Sequence, residues 1–141
     1  MLKFTAGRFV YKKVSIEIPE GFYLNTTPAL LYETGLVLLS PDEVFQADIM
    51  FCEPGEIDDR ELSKIETCGA YNIIEPVADY SLNSMCGERV VYEDSNHGYL
   101  EMIFKFKDYG LSVIVSTLSD TKITEILTSE YLKELLDKIN I

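Results

Sequence analysis

From residue 77 onward the chain is cut at short intervals by breaks that each carry a glycine, and apolar and polar side chains alternate between them. Such close spacing leaves no room for a helical crossover, so consecutive segments must fold back on one another as antiparallel strands. The alternation predicts strands at about 77–82, 88–94, 99–107 and 110–117. Asn83-Ser84-Met85-Cys86-Gly87, Asn96-His97-Gly98 and Asp108-Tyr109-Gly110 separate them, each with the turn chemistry of a hairpin. The third segment is the clearest. Leu100, Met102, Phe104 and Phe106 point one way, and Tyr99, Glu101, Ile103, Lys105 and Lys107 the other.

Three earlier segments carry the same signal. Val14, Ile16 and Ile18 alternate with Ser15 and Glu17 before Pro19-Glu20-Gly21. Residues 36–40 are apolar on both faces and end at Pro41-Asp42. In 44–52, Phe45, Ala47, Ile49 and Phe51 share a side opposite Gln46, Asp48, Met50 and Cys52, and Pro54-Gly55 closes the segment. Two regions have helical signals. Asp58 is placed to cap a helix, with Glu61 as capping-box partner, Ile57 and Leu62 as staple and Gly69 as stop; Leu62, Ile65 and Cys68 give it a narrow apolar stripe. Near the C-terminus, Ser119 is placed to cap 120–127 and Thr128 to cap 129–139, where Leu132, Leu135, Leu136 and Ile139 recur at helical spacing as a core-facing stripe. The expected class is α+β, with an antiparallel β-sheet of about 6–7 strands flanked by helices. Only one strand–helix–strand passage exists, which argues against a doubly wound nucleotide-binding fold.

The 141 residues correspond to a single domain, 1–141, and an apolar content of 47% is enough to build a core. Twenty-four acidic against 12 basic side chains leave a net charge of −12, which argues against nucleic acid and against anionic membranes as partners. The nearest approach to a basic patch, Lys3, Arg8, Lys12 and Lys13, is diluted by Glu17 and Glu20 and reads as a solvated strand surface. Cys52, Cys68 and Cys86 form no C-x-x-C pair and sit among apolar neighbours, so they read as buried free thiols of a reducing compartment. With no secretory h-region and no window of membrane-spanning length, the cytoplasm is the expected location.

Catalytic chemistry finds little to work with. His97, the sole histidine, falls in a hairpin turn beside Gly98 and reads as an exposed turn residue. A Cys86–His97 dyad would span the length of one strand, roughly 35 Å at about 3.3 Å per residue, against the hydrogen-bond reach that a nucleophile and its base require. Glu53, Glu56, Asp58 and Asp59 have the oxygen chemistry for calcium or magnesium but no EF-hand spacing, and a helix N-terminus attracts acids by its dipole. Glu93 and Glu101 lie on strands that can be adjacent, yet acids on a sheet surface are ordinary. All eight glycines are isolated, which removes a glycine-built phosphate cradle. The expectation is therefore no catalytic residue, no metal and no cofactor. The feature left for function is a mixed aromatic and charged sheet face of Glu17, Asp48, Tyr99, Glu101, Ile103, Lys105 and Lys107, suited either to a partner or to solvent.

Three phrases carry a resemblance. Tyr11-Lys12-Lys13-Val14-Ser15-Ile16-Glu17-Ile18-Pro19-Glu20-Gly21-Phe22 resembles the opening of PsbP-like domains, where a strand ends in Ile-Pro followed by Gly or Trp and an aromatic. Asn83 to Gly87 followed by Val90-Val91-Tyr92 is similar too, as is the tail from Leu111 to Val115, Ile123, Ile126 and Ser129 to Leu136. The resemblance implies a PsbP-like α/β/α sandwich. Members include photosystem II extrinsic subunits, a nuclear-transport factor that binds the Ran GTPase and bacterial chaperone-like adaptors for secreted toxins. They share no functional residue, so none is carried over. The leading expectation is a non-catalytic protein-binding or chaperone-like adaptor domain whose partner is another protein, basic in character. The alternatives are a small-ligand or lipid carrier with a pocket between sheet and helices, and an immunity-type inhibitor of a basic toxin.

Overall fold

The computed structural model describes residues 2–5, 7–25, 35–59 and 61–141, with the side chains of Thr5, Asp58 and Asp59 outside that description. The described strands are β1 (Lys3–Thr5), β2 (Arg8–Tyr11), β3 (Val14–Ile16), β4 (Tyr23–Leu24), β5 (Gly35–Leu39), β6 (Phe45–Cys52), β7 (Asn72–Leu82), β8 (Met85–Glu93), β9 (Gly98–Lys105), β10 (Gly110–Thr117) and β11 (Ile139–Asn140). The helices are short: α1 (Pro54–Asp59), α2 (Ser63–Thr67), α3 (Ile123–Ile126) and α4 (Glu130–Asp137). Seven strands form one sheet in the order β4-β5-β6-β10-β9-β8-β7, and β1-β2-β3-β11 form a second. Every described pair is antiparallel, so the α+β class holds.

The run from β7 to β10 is the expected meander, each strand beside its sequence neighbour. It returns to β6, against which β10 pairs over its whole length from Gly110–Cys52 to Thr117–Phe45. The chain between β6 and β7 therefore crosses the sheet, carrying α1 and α2, to reach the far edge. The first hairpin is tighter than the sequence implied. Leu82 pairs with Met85, and only Asn83 (φ 47°) and Ser84 (φ 72°) turn the chain, both in the left-handed region that a two-residue hairpin demands. Met85, Cys86 and Gly87 already belong to β8. The β7 strand also begins earlier, at Asn72, and runs through Pro76, with register shifts between Ile73 and Glu75 and between Glu75 and Ala78. Pro76 is tolerated because it falls in the irregularity between Glu75 and Ala78 of this edge strand, where it has no ladder partner. The next amide, Val77, donates to the Glu66 carboxylate of α2.

Alternation sends two sets of side chains to opposite faces of the large sheet. Phe45, Ala47, Ile49 and Phe51 of β6, Leu100, Met102 and Phe104 of β9, and Leu111, Val113 and Val115 of β10 are fully buried in the main core. Residues of the small sheet, α3 and α4 close that core: Tyr11 stacks on Phe51 at 4.5 Å, and Ile16, Ile123, Ile126, Leu132 and Leu135 are buried with it. On the other face a smaller cluster joins Cys52, Val90, Tyr92 and Ile103 to Ile57 of α1 and to Leu62, which precedes α2. Glycines set both helix contacts. A Cβ on Gly98 would stand 2.6 Å from Ile123, and one on Gly110 would stand 2.5 Å from Ile57, so each strand admits its helix only without a side chain there.

Several helix boundaries differ from expectation. Pro54 opens α1 early, with Ile57 N–H bonded to the Glu53 carbonyl, so the backbone of Asp58 lies inside a helix and not before one; the helical region 58–69 is broken in two. Ser119 sits at φ 55°, which a capping residue with extended backbone does not adopt; Lys122 precedes α3, and residues 120–122 are not helical. Thr128 donates its hydroxyl to the Glu125 carbonyl, and Ser129 caps α4 by accepting the Tyr131 N–H at 3.2 Å. The helix stops at Asp137, and Ile139 is buried from β11, paired with Ile16. Asn83 of the β7–β8 turn binds this end, its amide donating to the carbonyls of Leu136 (2.8 Å) and Ile139 (2.7 Å). No described helix is long and apolar enough to cross a membrane.

Candidate functional site

The residues expected on a mixed sheet face divide into groups. Asp48, Tyr99, Glu101, Ile103 and Lys105 do share one face of the large sheet, and the register places Ile114 between Asp48 and Glu101. Ile103 is buried beneath α1 and α2 instead of lying open. Glu17 belongs with the small sheet, where its carboxylate meets Lys138 at 3.4 Å, and Lys107 is exposed in the β9–β10 turn beyond the strand. The face is thus narrower than the sequence suggested, because a strand's alternation does not say which residues a crossing helix will cover.

Its centre is a row of tyrosines. Tyr71 and Tyr92 lie 4.7 Å apart, and Tyr92 stacks on Tyr99 at 4.9 Å, the cross-strand pair Tyr92–Tyr99 in register. Tyr92 donates its hydroxyl to Glu101, and Tyr99 donates to Asp94 at 3.1 Å. Burial and the Glu101 carboxylate push the Tyr92 phenol well above its usual range. Asp94 is held below the usual carboxylate range by the amides of His97 and Asn96, at 2.7 and 2.8 Å. Gln46 donates to Asp48 at 3.1 Å. These groups satisfy one another, which makes a braced surface.

A separate hollow lies on the helix side of the sheet. It is an open groove of about 320 Å³ between α4 and the β7–β8 margin. Tyr80, Leu82 and Leu100 form its floor, Leu127 one end, and Leu132 with Leu136 the helical wall. Arg89 occupies a core-facing position of β8, beside Val91 in the alternation, yet its guanidinium reaches the edge. There it lies over the Tyr80 ring, 5.2 Å from the centroid, and meets both oxygens of Glu75 at 3.0 and 3.3 Å. Glu130, Lys133 and Asp137 complete the α4 rim. Sequence reasoning missed this site. Its one available signal was an arginine on the apolar period of a strand, a position that favours a long side chain with its stem buried and its head at a margin.

The chemically reactive groups stay apart. Cys52 is buried as expected, but Cys68 and Cys86 are exposed. Cys68 ends α2 before Gly69, and Cys86 alternates onto the outer face near the hairpin; apolar neighbours in sequence do not bury a residue at an element's end. His97 is exposed in its turn, with Nδ1 3.0 Å from the Thr117 carbonyl, while Cys86 lies at the opposite end of β8. Glu93 pairs opposite Gly98 and accepts from Asn72 at 2.8 Å, three positions along the ladder from Glu101, which pairs with Val90. Among the described residues no three His, Cys, Asp or Glu side chains gather as a cation site; the Asp58 and Asp59 side chains lie outside that description. No family model and no curated protein matches the chain.

Proposed function

We propose that this chain is a non-catalytic protein-binding domain of the adaptor or chaperone-like kind, and that it engages its partner through the groove between α4 and the β7–β8 margin. The open groove carries this reading: Arg89, braced by Tyr80 and Glu75 at its margin, supplies the arginine and tyrosine in which recognition hot spots are enriched. Half-buried side chains such as Leu127 and Leu136 gain from being covered by a partner. The acidity of the chain agrees with a basic partner, and the PsbP-like resemblance agrees with an adaptor. A photo-cross-linking side chain placed at Lys133 tests the reading in the native cell. One discrete heteromeric adduct, which then reconstitutes as a complex from purified components, is the expected result. Adducts no different from those formed at exposed Glu20 would end it.

A carrier of small amphipathic ligands is the second reading, because the groove volume falls within the range of ligand sites. Native mass spectrometry of protein purified from its own cells separates the two: a retained small-molecule adduct selects the carrier.

A further inference from the structure

We propose that the free edge of β1 accepts an acidic, extended segment of another protein as an added strand, with an apolar side chain of that segment on Phe4 and its carboxylates against Lys3 and Arg8. This surface is separate from the groove beside α4 and goes beyond the reading given for it.

The edge has the geometry for pairing. Among the described strands β1 is an outer member of the small sheet, paired with β2 alone. Hydrogen bonding alternates along an antiparallel ladder, so one fixed bond phases the rest. The Glu17 N–H bonds the Lys138 carbonyl on the β11 side, which directs the backbone of Ile16 to Phe9, its partner on β2. Phe9 therefore faces β3, and Phe4, opposite Phe9 on β1, turns its own N–H and C=O outward. Phe4 is also 64% exposed, its ring leaning on Phe9 at 4.9 Å. The long edge at β7 is closed by comparison: Pro76 has no N–H to offer, and the Val77 amide is taken by Glu66.

Charge and alternation select the occupant. Residues 1–16 hold four of the 12 cations and no acid, in a chain of net charge −12. Glu17, the first acid, is drawn to Lys138 at 3.4 Å. Lys12 is engaged with the Tyr11 and Tyr109 rings and the Asp108 carbonyl. Lys3 and Arg8 are exposed on the face opposite Phe4, since Lys3 alternates with it along β1 and Arg8 alternates with Phe9 along β2. A strand added at this edge meets cations on one face and an aromatic ring on the other, so the fitting pattern is acid–apolar–acid. A second copy fits poorly, because edge-to-edge pairing would set four cations on one face with no acid between them. Nucleic acid and lipid offer phosphate to the cations but no backbone ladder to continue the sheet.

Three fluorescent probes of about eight residues test this against the full chain: an alternating Glu/Val peptide, its Lys/Val counterpart, and the Glu/Val peptide N-methylated at its valines, whose amides would face Phe4. Anisotropy reads affinity and amide chemical-shift mapping reads location. The Glu/Val probe is expected to shift Lys3, Phe4 and Arg8, to bind at least about tenfold tighter than either of the others, and to weaken as salt rises from about 50 to 300 mM. Lys3→Glu/Arg8→Glu should pass the preference to the Lys/Val probe, while Lys122→Glu/Lys133→Glu, with the same net charge, should leave it as it was. Equal effects of the two double variants, full affinity of the methylated probe, shifts confined to residues outside the small sheet, or no binding of the Glu/Val probe would overturn the strand assignment. The groove reading is decided separately, by cross-linking at Lys133.

Discussion

The two faces of the seven-stranded sheet are built from the same strands by the same alternation, yet they differ in how they are closed. One face is covered by the small sheet, α3 and α4, and its side chains merge into a single apolar core. The other meets two short helices whose contribution rests on Ile57, Leu62 and Ile65, and beside that cluster tyrosines are tied to carboxylates. The first face is held by packing, which is costly to disturb. The second combines a small cluster with hydrogen bonds and charge, which pH and salt can reach. The candidate groove lies at the margin of the first face, where α4 stops short of the sheet's edge.

This contrast can be broken most directly at Leu135, which is fully buried from α4. Leu135→Asp places an unpaired carboxylate in the main core, and a loss beyond about 4 kcal/mol is expected, enough to abolish the folded state. Circular dichroism checks it; a folded mutant with the native melting midpoint would show that α4 is dispensable to the core. The glycines sharpen the comparison. Gly98→Ala forces Ile123 off the main core, and Gly110→Ala forces Ile57 off the smaller cluster. Each should cost about 1–3 kcal/mol, with Gly98→Ala the larger because α3 is locked into the denser side. Urea midpoints order the two, and the reverse order would mean that the outer face is the tighter one.

The smallest effect is alkaline. The folded state holds the Tyr92 proton more tightly than the unfolded chain does, so above about pH 10 the unfolded state releases a proton that the native state retains. Stability should therefore fall as pH rises past that value. Tyr92→Phe should make the fall shallower, seen by urea titration across that range. An unaltered slope in Tyr92→Phe would show that the tyrosine row is not what the alkaline limb reports.

Local pattern carried far into this molecule. The alternation of Phe45 to Phe51 and of Leu100 to Phe104 named the core face, and β10 occupies 110–117 as expected. Strand alternation survives because burial of one face enforces it at every second residue. Helix starts were less legible, since Asp58, Ser119 and Thr128 each have capping chemistry and only backbone angles decide which cap is used. The thiols Cys68 and Cys86 were misplaced for the same reason, as exposure is a property of an element's end and of what packs over it.

The amino-acid order by itself determined the antiparallel meander, the sorting of side chains onto two faces and the acidic character, because each follows from near neighbours or from simple sums. Tertiary structure alone decided what met across the sequence. It set Asn83 on the end of α4, gathered Tyr80, Arg89 and Leu136 around one groove, and sent Glu17 and Lys107 away from the face they were expected to share. These residues lie tens of positions apart, and no local period encodes their distance; only the chain's return across the sheet does.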